Sequence, residues 1–592
     1  MGVKSVTYCK FAEPQQLANQ IAGDYIRWKQ ARSVWEKEKE ELRSYVFARD
    51  TTTTSNKTLP WKNSTTTPKL CQIRDNLHAN YMANMFSRED WFDWLPGDEL
   101  AATKKKADAI RTYMKSKLRA SDFRAEVSKL VYDYIDFGNA FAEVQHERRF
   151  HKTPDGQTVK VYVGPKLQRL SPFDFVFDIT APDFDSAAKI TRRLYTMGDL
   201  AKMQEDGIDW AKEALASATK IRAAYREMGT PDLKKFSEFP LDGLGTITDY
   251  YKGCYVEILE FEGDAYDPET NKLYANHRII VVDRRQIVSA QPYSSWLGRS
   301  NKKHCGWRLR PESLLAMGPL DNLVGLQYRV DHLENLKADV FDQIAFPVVY
   351  QKGNVEDWEW GPGARIFGDG ESDVRVLSPD ATALNANFEI ANILNLMEEM
   401  AGAPRQAMGI RTPGEKTAYE VQVLENAAGR IFQNKIQHFE ATFIEPLLND
   451  MLEAARRNLD VTEQVAVQDT DLGVTEFRSI SAEDIKANGK LVPMGSRHFA
   501  EQAGAIQTLN GFMSSPMYQD QAVNANISGL GLALHFSDLL KLPKGVVRKG
   551  VRVIEAAETQ KLIQAAQSNI QDNAAVGVQI AAADVAAQEA QV

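Results

Sequence analysis

The amino-acid sequence predicts a mixed α/β fold that is mainly α-helical. Apolar residues recur at helical spacing in four stretches, namely 11–48, 69–150, 311–343 and 417–459. β-Branched and aromatic residues alternate instead in two stretches, 160–179 and 254–288, as they do in strands. The chain has 592 residues, of which 43% are apolar and 26% charged, so it is long enough for several domains with buried cores.

Helices are expected in the N-terminal part of the chain. Residues 11–48 include "WEKEKEEL", whose dense opposite charges predict an exposed amphipathic helix. Residues 50–69 hold eight threonines and two prolines, a composition that favours extended or irregular chain. Helices then dominate to about residue 150, and Gly138 interrupts an aromatic-rich stretch before a turn into a strand.

The second half of the chain is predicted to alternate between helix and strand. A Gly-rich strand-and-turn module follows Pro347, and another helix is predicted over 388–402. The pattern over 417–459 would give a helix about 65 Å long. Pro446 predicts a kink in that helix, because its ring displaces the carbonyl of Thr442. The remaining predictions are mixed strand and loop over 460–495 and helix over 496–570.

The net charge of −9 argues against a protein whose whole surface binds nucleic acid, since neutralising phosphates requires concentrated Lys and Arg. It is compatible with a smooth conduit that repels DNA mildly over most of its wall. The first residues lack a hydrophobic signal core, and no apolar run is long enough to cross a membrane. We therefore expect synthesis in a reducing cytoplasm.

The stretch "GIRTPGEKTAYEV", residues 409–421, is similar to a phosphate-binding loop. Gly409 and Gly414 have the required spacing, but Glu415 stands before Lys416. A carboxylate in such a turn would repel phosphate, and the preceding segment is helical where a strand is needed. The sequence therefore favours an exposed loop that leads into a helix, and no nucleotide site.

No metal, cofactor or catalytic site is expected. The cysteines lie far apart, no two histidines are three or four residues apart, and "GDGESDV" has Val374 where a calcium loop needs glycine. Four carboxylates are interleaved with prolines, which favours turns over acid–base chemistry: Asp174, Asp178, Asp183 and Asp185. No nucleophile signature occurs, so the chain is not expected to be an enzyme.

Two other groups of residues are candidates for binding. The stretch "RSNKKHCGWRLRP" is a candidate phosphate or capsid contact through five cations, Arg299, Lys302, Lys303, Arg308 and Arg310. Charge runs are usually solvated faces, and this alternative stays open. Trp358 and Trp360 lie in the turn-rich module, where indoles form either a small core or an interface anchor.

The order of helix, small β-rich module, helix, loop and very long kinked helix resembles the portal, or head-to-tail connector, proteins of short-tailed bacteriophages. Two stretches also resemble that family in amino-acid sequence, "AMGPLDNLVGLQYRVDHLENLKADVFDQIAFP" (316–347) and "APRQAMGIRTPGEKTAYEVQVLENAAGRIFQNKIQHFEATFIEPLL" (403–448). "RLSPFDFVFDITAPDF" and "LVPMGSRHFAEQ" are also similar to segments of that family. The resemblance covers most of the chain and is weakest before about residue 65 and after about residue 545.

The resemblance implies a portal-type fold with wing, stem, clip and crown, assembled as a ring. The wing would comprise 1–310, with 50–69 as a Thr-rich loop, the long kinked helix 417–459 and the return 460–495. The stem helices would be 311–345 and 384–402. The clip would be 346–383, the channel loop 403–416, and the crown with the C-terminal tail 496–592.

The resemblance also implies what the protein does and what it binds. Such rings, normally dodecamers, lie at one capsid vertex of the virion, admit DNA during packaging, release it during infection and attach to the tail. The implied partners are further copies of the chain, the terminase large subunit, tail adaptor proteins, major capsid and scaffolding proteins, and double-stranded DNA in transit. No membrane is involved, and the ATPase would be the separate terminase.

Site residues are expected in two places. Glycines and prolines at both ends of 403–416 stop one helix and delay the next. The candidates for contact with channel DNA are Arg405, Arg411 and Lys416, together with Glu389, Glu398 and Glu399 on the preceding helix. Trp358 and Trp360 are the candidates for the terminase or adaptor interface.

Two alternative functions stay open. One is a minor structural or tail protein that uses the same helical parts without a DNA channel. The other is an enzyme with a nucleotide site of an unfamiliar type.

Overall fold

The computed structural model describes residues 13–47, 63, 65–86, 91–97, 101–155, 157–228, 255–267, 269–310, 313–358, 365–369, 371, 373–377, 385–401, 434–459, 462–468, 475–495 and 559–560. About half of the structure is helical and about 30% lies in strands, which confirms a mixed α/β fold. Among the described residues, no helix is long and apolar enough to span a membrane.

The helix predicted over 11–48 is present as two helices, α1 (Pro14–Ala31) and α2 (Ser33–Val46). They meet at Arg32, whose buried guanidinium donates hydrogen bonds to the carbonyls of Phe173 and Phe175. The next elements in chain order are α3 (Lys69–Met85), β1 (Phe92–Pro96), α4 (Ala101–Ala120) and α5 (Phe123–Asp136).

Gly138 makes the predicted turn from helix α5 into strand β2 (Asn139–Lys152). Its φ angle is 71°, in the left-handed region that favours glycine. A Cβ atom at this position would lie 2.3 Å from the backbone nitrogen of Gly318. The turn therefore requires glycine both for its conformation and for space.

The strands predicted over 160–179 and 254–288 are present, and they belong to two antiparallel sheets. In chain order the strands that follow β2 are β3 (Thr158–Arg169), β4 (Phe175–Phe177), β5 (Lys189–Thr196), β6 (Tyr255–Asp267), β7 (Lys272–Val282), β8 (Gln286–Pro292) and β9 (Lys302–Gly306). Strands β5 and β9 lie outside the predicted stretches. The first sheet has the order β3-β2-β9, and the second is a five-stranded meander, β4-β5-β6-β7-β8. Helices α6 (Met197–Glu205) and α7 (Asp209–Met228) connect β5 to β6.

The five-stranded sheet is covered by helices on both faces. Leu259, Phe261, Ile279 and Val281 pack with α1 on one face. Their immediate neighbours in the strands, Ile258, Ile280 and Val282 among them, pack with α6 and α7 on the other. The continuous apolar runs of β6 and β7 follow from this three-layer arrangement, because successive strand residues point to opposite faces.

The helical pattern predicted from residue 311 is wrong over its first part. Residues 308–310 and 313–317 are strands β10 (Arg308–Arg310) and β11 (Ser313–Met317), which pair with each other. Asn139 exchanges side-chain hydrogen bonds of 2.9 Å with both the amide and the carbonyl of Ala316. These tertiary bonds override the local periodicity, so that helix α8 (Val324–Ala345) begins only after a 3-10 turn at Asp321–Leu323.

The strand-and-turn module after Pro347 contains the antiparallel pair β12 (Val348–Lys352) and β13 (Asp373–Leu377). Val348 lies opposite Leu377 and Lys352 opposite Asp373. The helix predicted over 388–402 is confirmed as α9 (Asn387–Met400).

A π-helical turn precedes Pro446, where the sequence predicts a kink. Residues 434–439 are helical, Glu440–Ile444 form the π-turn, and helix α10 (Glu445–Asn458) continues from it with Pro446 in its first turn. A wider turn removes the need for the hydrogen bond that proline lacks. Residues 417–433 of the predicted long helix lie outside the described residues.

The mixed structure predicted over 460–495 is confirmed. It comprises the antiparallel pair β14 (Glu463–Gln468) and β15 (Thr475–Ile480), the short helix α11 (Ala482–Ile485), and β16 (Gly489–Pro493), which pairs with β1. The chain divides into two compact units, of which the smaller contains 86–92, 463–480 and 494–592. Apart from 559–560, the predicted crown and tail after residue 495 lie outside the described residues.

Candidate assembly surface

Helix α8 buries polar residues and exposes apolar ones. Its buried residues include four polar ones at intervals of four, Gln327, Asp331, Asn335 and Asp339, which we call the polar seam. Its exposed residues include three large apolar ones, Tyr328, Phe341 and Ile344. In an isolated chain this arrangement leaves apolar surface in water, whereas surface helices normally turn apolar residues to the core.

The polar seam binds the end of the Thr-rich segment as an extended chain. Three backbone N–H groups of the segment donate hydrogen bonds to side-chain oxygens of the seam: Thr67 to Asp331 (2.8 Å), Thr65 to Asn335 (2.9 Å) and Asn63 to Asp339 (3.0 Å). Four helical residues advance about 6.0 Å and two extended residues about 6.6 Å, so alternate residues of the segment meet successive residues of the seam. The seam therefore satisfies backbone groups of a segment that has no strand partner among the described residues.

Asp331 is the most deeply buried carboxylate of the seam. Its Oδ1 atom accepts hydrogen bonds from the Thr67 amide and from Gln327 Nε2, both at 2.8 Å. Burial raises the pKa of Asp331 to about 6, because desolvation outweighs these hydrogen bonds.

Exposed apolar side chains are concentrated on α8, β12, β13, α9 and their connections. Phe388 is 77% exposed and Phe346 is 72% exposed. We call the following set the apolar surface: Tyr328, Phe341, Ile344, Phe346, Val348, Tyr350, Ile366, Phe367, Val376, Leu377, Phe388, Leu396 and Met400. Large exposed apolar areas mark protein association sites, so these elements have the character of an interface.

Helix α9 supports this interpretation because apolar residues lie among its exposed residues as well as its buried ones. Ile390, Ile393 and Met397 are buried, while Phe388 and Leu396 are exposed. The two exposed residues add to the apolar surface of the neighbouring elements.

The candidate channel residues on α9 have different environments. Glu389 and Glu399 are exposed, and Glu389 forms a 2.8 Å ion pair with Arg329 of α8. Glu398 is buried and ion-paired with Lys69 at the start of α3, which does not favour a role in lining a channel. Arg405, Arg411 and Lys416 lie outside the described residues.

The two tryptophans of the predicted clip are only partly described. Trp358 is half-buried and lies beside the isolated bridge between Val355 and Gly368. Trp360 lies outside the described residues. The prediction that this pair anchors an interface therefore stays a prediction.

The basic stretch 299–311 is largely internal in the structure. Lys302 is fully buried and forms ion pairs with Glu262 (2.8 Å) and Glu260 (3.4 Å). Burial alone would lower its pKa, but the carboxylates of Glu260, Glu262 and Glu143 raise it above the usual value. A permanently paired internal lysine does not favour contact with phosphate.

The other cations of this stretch differ in their exposure to solvent. Lys303 is also buried and lies 3.7 Å from Asp450, while Arg299 pairs with the same carboxylate at 2.7 Å. Arg308 is exposed, and only the backbone of Arg310 is described. Of the four candidates whose side chains are described, Arg308 is the one that is exposed, as a phosphate or capsid contact requires.

Two of the four interleaved aspartates, Asp178 and Asp183, make turns, as the sequence predicts. Asp178 accepts hydrogen bonds from the amide and hydroxyl of Thr180, and Asp183 accepts one from the amide of Ser186. Asp174 pairs with Arg192 at 2.7 Å. Among the described residues, no group of three or more His, Cys, Asp or Glu side chains is arranged to hold a metal ion.

Sequence reasoning missed the polar seam and the apolar surface. The signal for the seam is present as the interval of four between Gln327, Asp331, Asn335 and Asp339, but such spacing on a helix usually indicates a solvated face.

No model of a known protein family matches the chain, and no curated protein is significantly similar to it.

Proposed function

We propose that this chain is the subunit of a phage portal, a ring at one capsid vertex through which DNA is packaged by a terminase and later ejected, and to which the tail attaches. The ring is formed by further copies of the chain. The chain itself hydrolyses no nucleotide, and its remaining partners are the terminase large subunit, tail adaptors, and capsid and scaffolding proteins.

The apolar surface is the observation that supports this proposal best. A closed ring covers such a surface on both sides of every subunit, whereas a monomer leaves it in water. The surface also coincides with α8, β12, β13 and α9, which correspond to the stem and clip that the sequence resemblance implies.

The exposed apolar residues of α8 add a second line of support. The polar seam is used within the subunit by the Thr-rich segment, whereas Tyr328, Phe341 and Ile344 stay exposed. In the proposed ring, these side chains contact neighbouring copies.

Sedimentation of the purified chain at micromolar concentration tests the proposal. A single large closed oligomer is expected, and the same preparation should show no ATP turnover. A stable monomer would contradict the ring, and sustained ATP hydrolysis by the isolated chain would contradict the division of labour with a terminase.

A further inference from the structure

The hairpin of β2 and β3 ends in a tip that is exposed on both faces. Residues 148–151 of one strand and 157–161 of the other are all exposed, although successive strand residues point to opposite sides. Strand β9 pairs only with the base of β2, at residues 139–143, so the outer part is a two-stranded ribbon. Such ribbons are marginally stable by themselves, which indicates that this one is covered in the assembled protein.

The hairpin tip combines cations with apolar side chains. Arg148 and Lys160 supply positive charge, as does Arg149, which also forms an ion pair of 2.8 Å with Glu147. Phe150 and Val161 are 42% and 55% exposed. Phe150 lies opposite Lys160 across the ribbon. A partner must therefore offer both an apolar area and negative charge.

A cleft between α2 and β11 offers this complement. It has a volume of about 530 Å³, and its lining includes Val34, Trp35, Leu315 and, from α2, the carboxylates Glu38 and Glu41. Val34, Glu38 and Glu41 are exposed. Clefts of about 300–1,000 Å³ hold ligands of a few side chains in size.

We propose that the β2–β3 hairpin tip of one copy docks in the α2–β11 cleft of a second copy. This contact rests on the proposed ring and names a pair of surfaces within it. Because hairpin tip and cleft are different surfaces of the same chain, their contact is head-to-tail, and repetition of such a contact closes a ring when the rotation permits. The apolar residues among the cations favour a protein partner over nucleic acid, since phosphates would leave Phe150 and Val161 uncovered.

Charge reversal on each side, and then on both, tests the pairing. One variant carries Arg148→Glu with Arg149→Glu, the second carries Glu38→Lys with Glu41→Lys, and the third combines all four changes. We expect each double variant to weaken assembly about tenfold, measured as the concentration at which oligomers dissociate, and the combined variant to recover most of the loss. Circular dichroism of each variant checks that the subunit is folded.

The same charge change at Lys212 and Lys220, both exposed on helix α7, is the matched control and should leave assembly near the wild-type value. Unchanged assembly in both double variants, or failure of the combined variant to recover, would overturn the pairing while leaving the ring intact. If the Arg148→Glu, Arg149→Glu variant lost binding to a short DNA duplex but assembled normally, the hairpin tip would be a nucleic-acid contact, and the pairing with the cleft would be wrong. A monomeric wild-type chain would overturn the proposed function as well.

Discussion

Phe388 provides the most quantitative test of the apolar surface. Complete burial of a Phe side chain stabilises by roughly 1.5–3 kcal/mol. Since 77% of Phe388 is exposed in the single chain, its burial between copies would contribute about 1–2 kcal/mol to each interface. Phe388→Ser should therefore weaken the association constant about fivefold to thirtyfold per interface.

The stability of the subunit should change little in this variant. Exposed positions away from caps and ion pairs usually tolerate substitution within about 0.5 kcal/mol. The assay is mass photometry over a dilution series, combined with urea unfolding of the dissociated subunit. Leu273→Ser is the matched control, because Leu273 is 59% exposed but lies outside the apolar surface. Equal dissociation midpoints for Phe388→Ser and wild type would refute the reasoning, as would an equal effect of the control.

Three further predictions concern the core, the seam and the channel. Lys302→Met should destabilise the subunit by about 3–5 kcal/mol in thermal unfolding, because it leaves buried carboxylates uncompensated, whereas Arg308→Met at the surface should cost less than about 0.5 kcal/mol. Asp331→Asn should become more stable relative to wild type as the pH rises from 4 to 7. The pKa of Asp331 is about 6 in the folded protein, which is above its value in the unfolded chain. The protonated carboxyl therefore stabilises the wild-type fold at low pH, and this contribution is lost as the carboxyl ionises. A difference independent of pH in urea unfolding would contradict this. Arg405→Ala with Arg411→Ala should give intact rings with altered DNA packaging or retention, and rings that dissociate would instead assign these cations to subunit contacts.

The strands and turns of the larger unit could be predicted from the sequence because local signals and tertiary structure agree there. Alternation in 254–288 predicted the meander, and Gly138 stands where a left-handed turn is needed. The same local reasoning failed at 313–317, where hydrogen bonds from Asn139 fix a strand against the helical periodicity. A partner 177 residues away in sequence leaves no local signal.

The candidate site was harder to predict, because it depends on which side of each helix is buried. The buried position of Lys302 was not predictable from a charge run that is typical of solvated surface, since its partners come from three other strand positions, Glu143, Glu260 and Glu262. The polarity of α8 was likewise hidden, because an amphipathic pattern gives two faces without saying which one meets the core. The Thr-rich segment decides that question by occupying the polar side.

Images of the purified, full-length protein test the central claim most directly. Class averages from electron microscopy should show one population of closed, rotationally symmetric rings with an open axial hole wide enough for double-stranded DNA. Compact particles without a hole, or open filaments of variable length, would contradict the proposed portal.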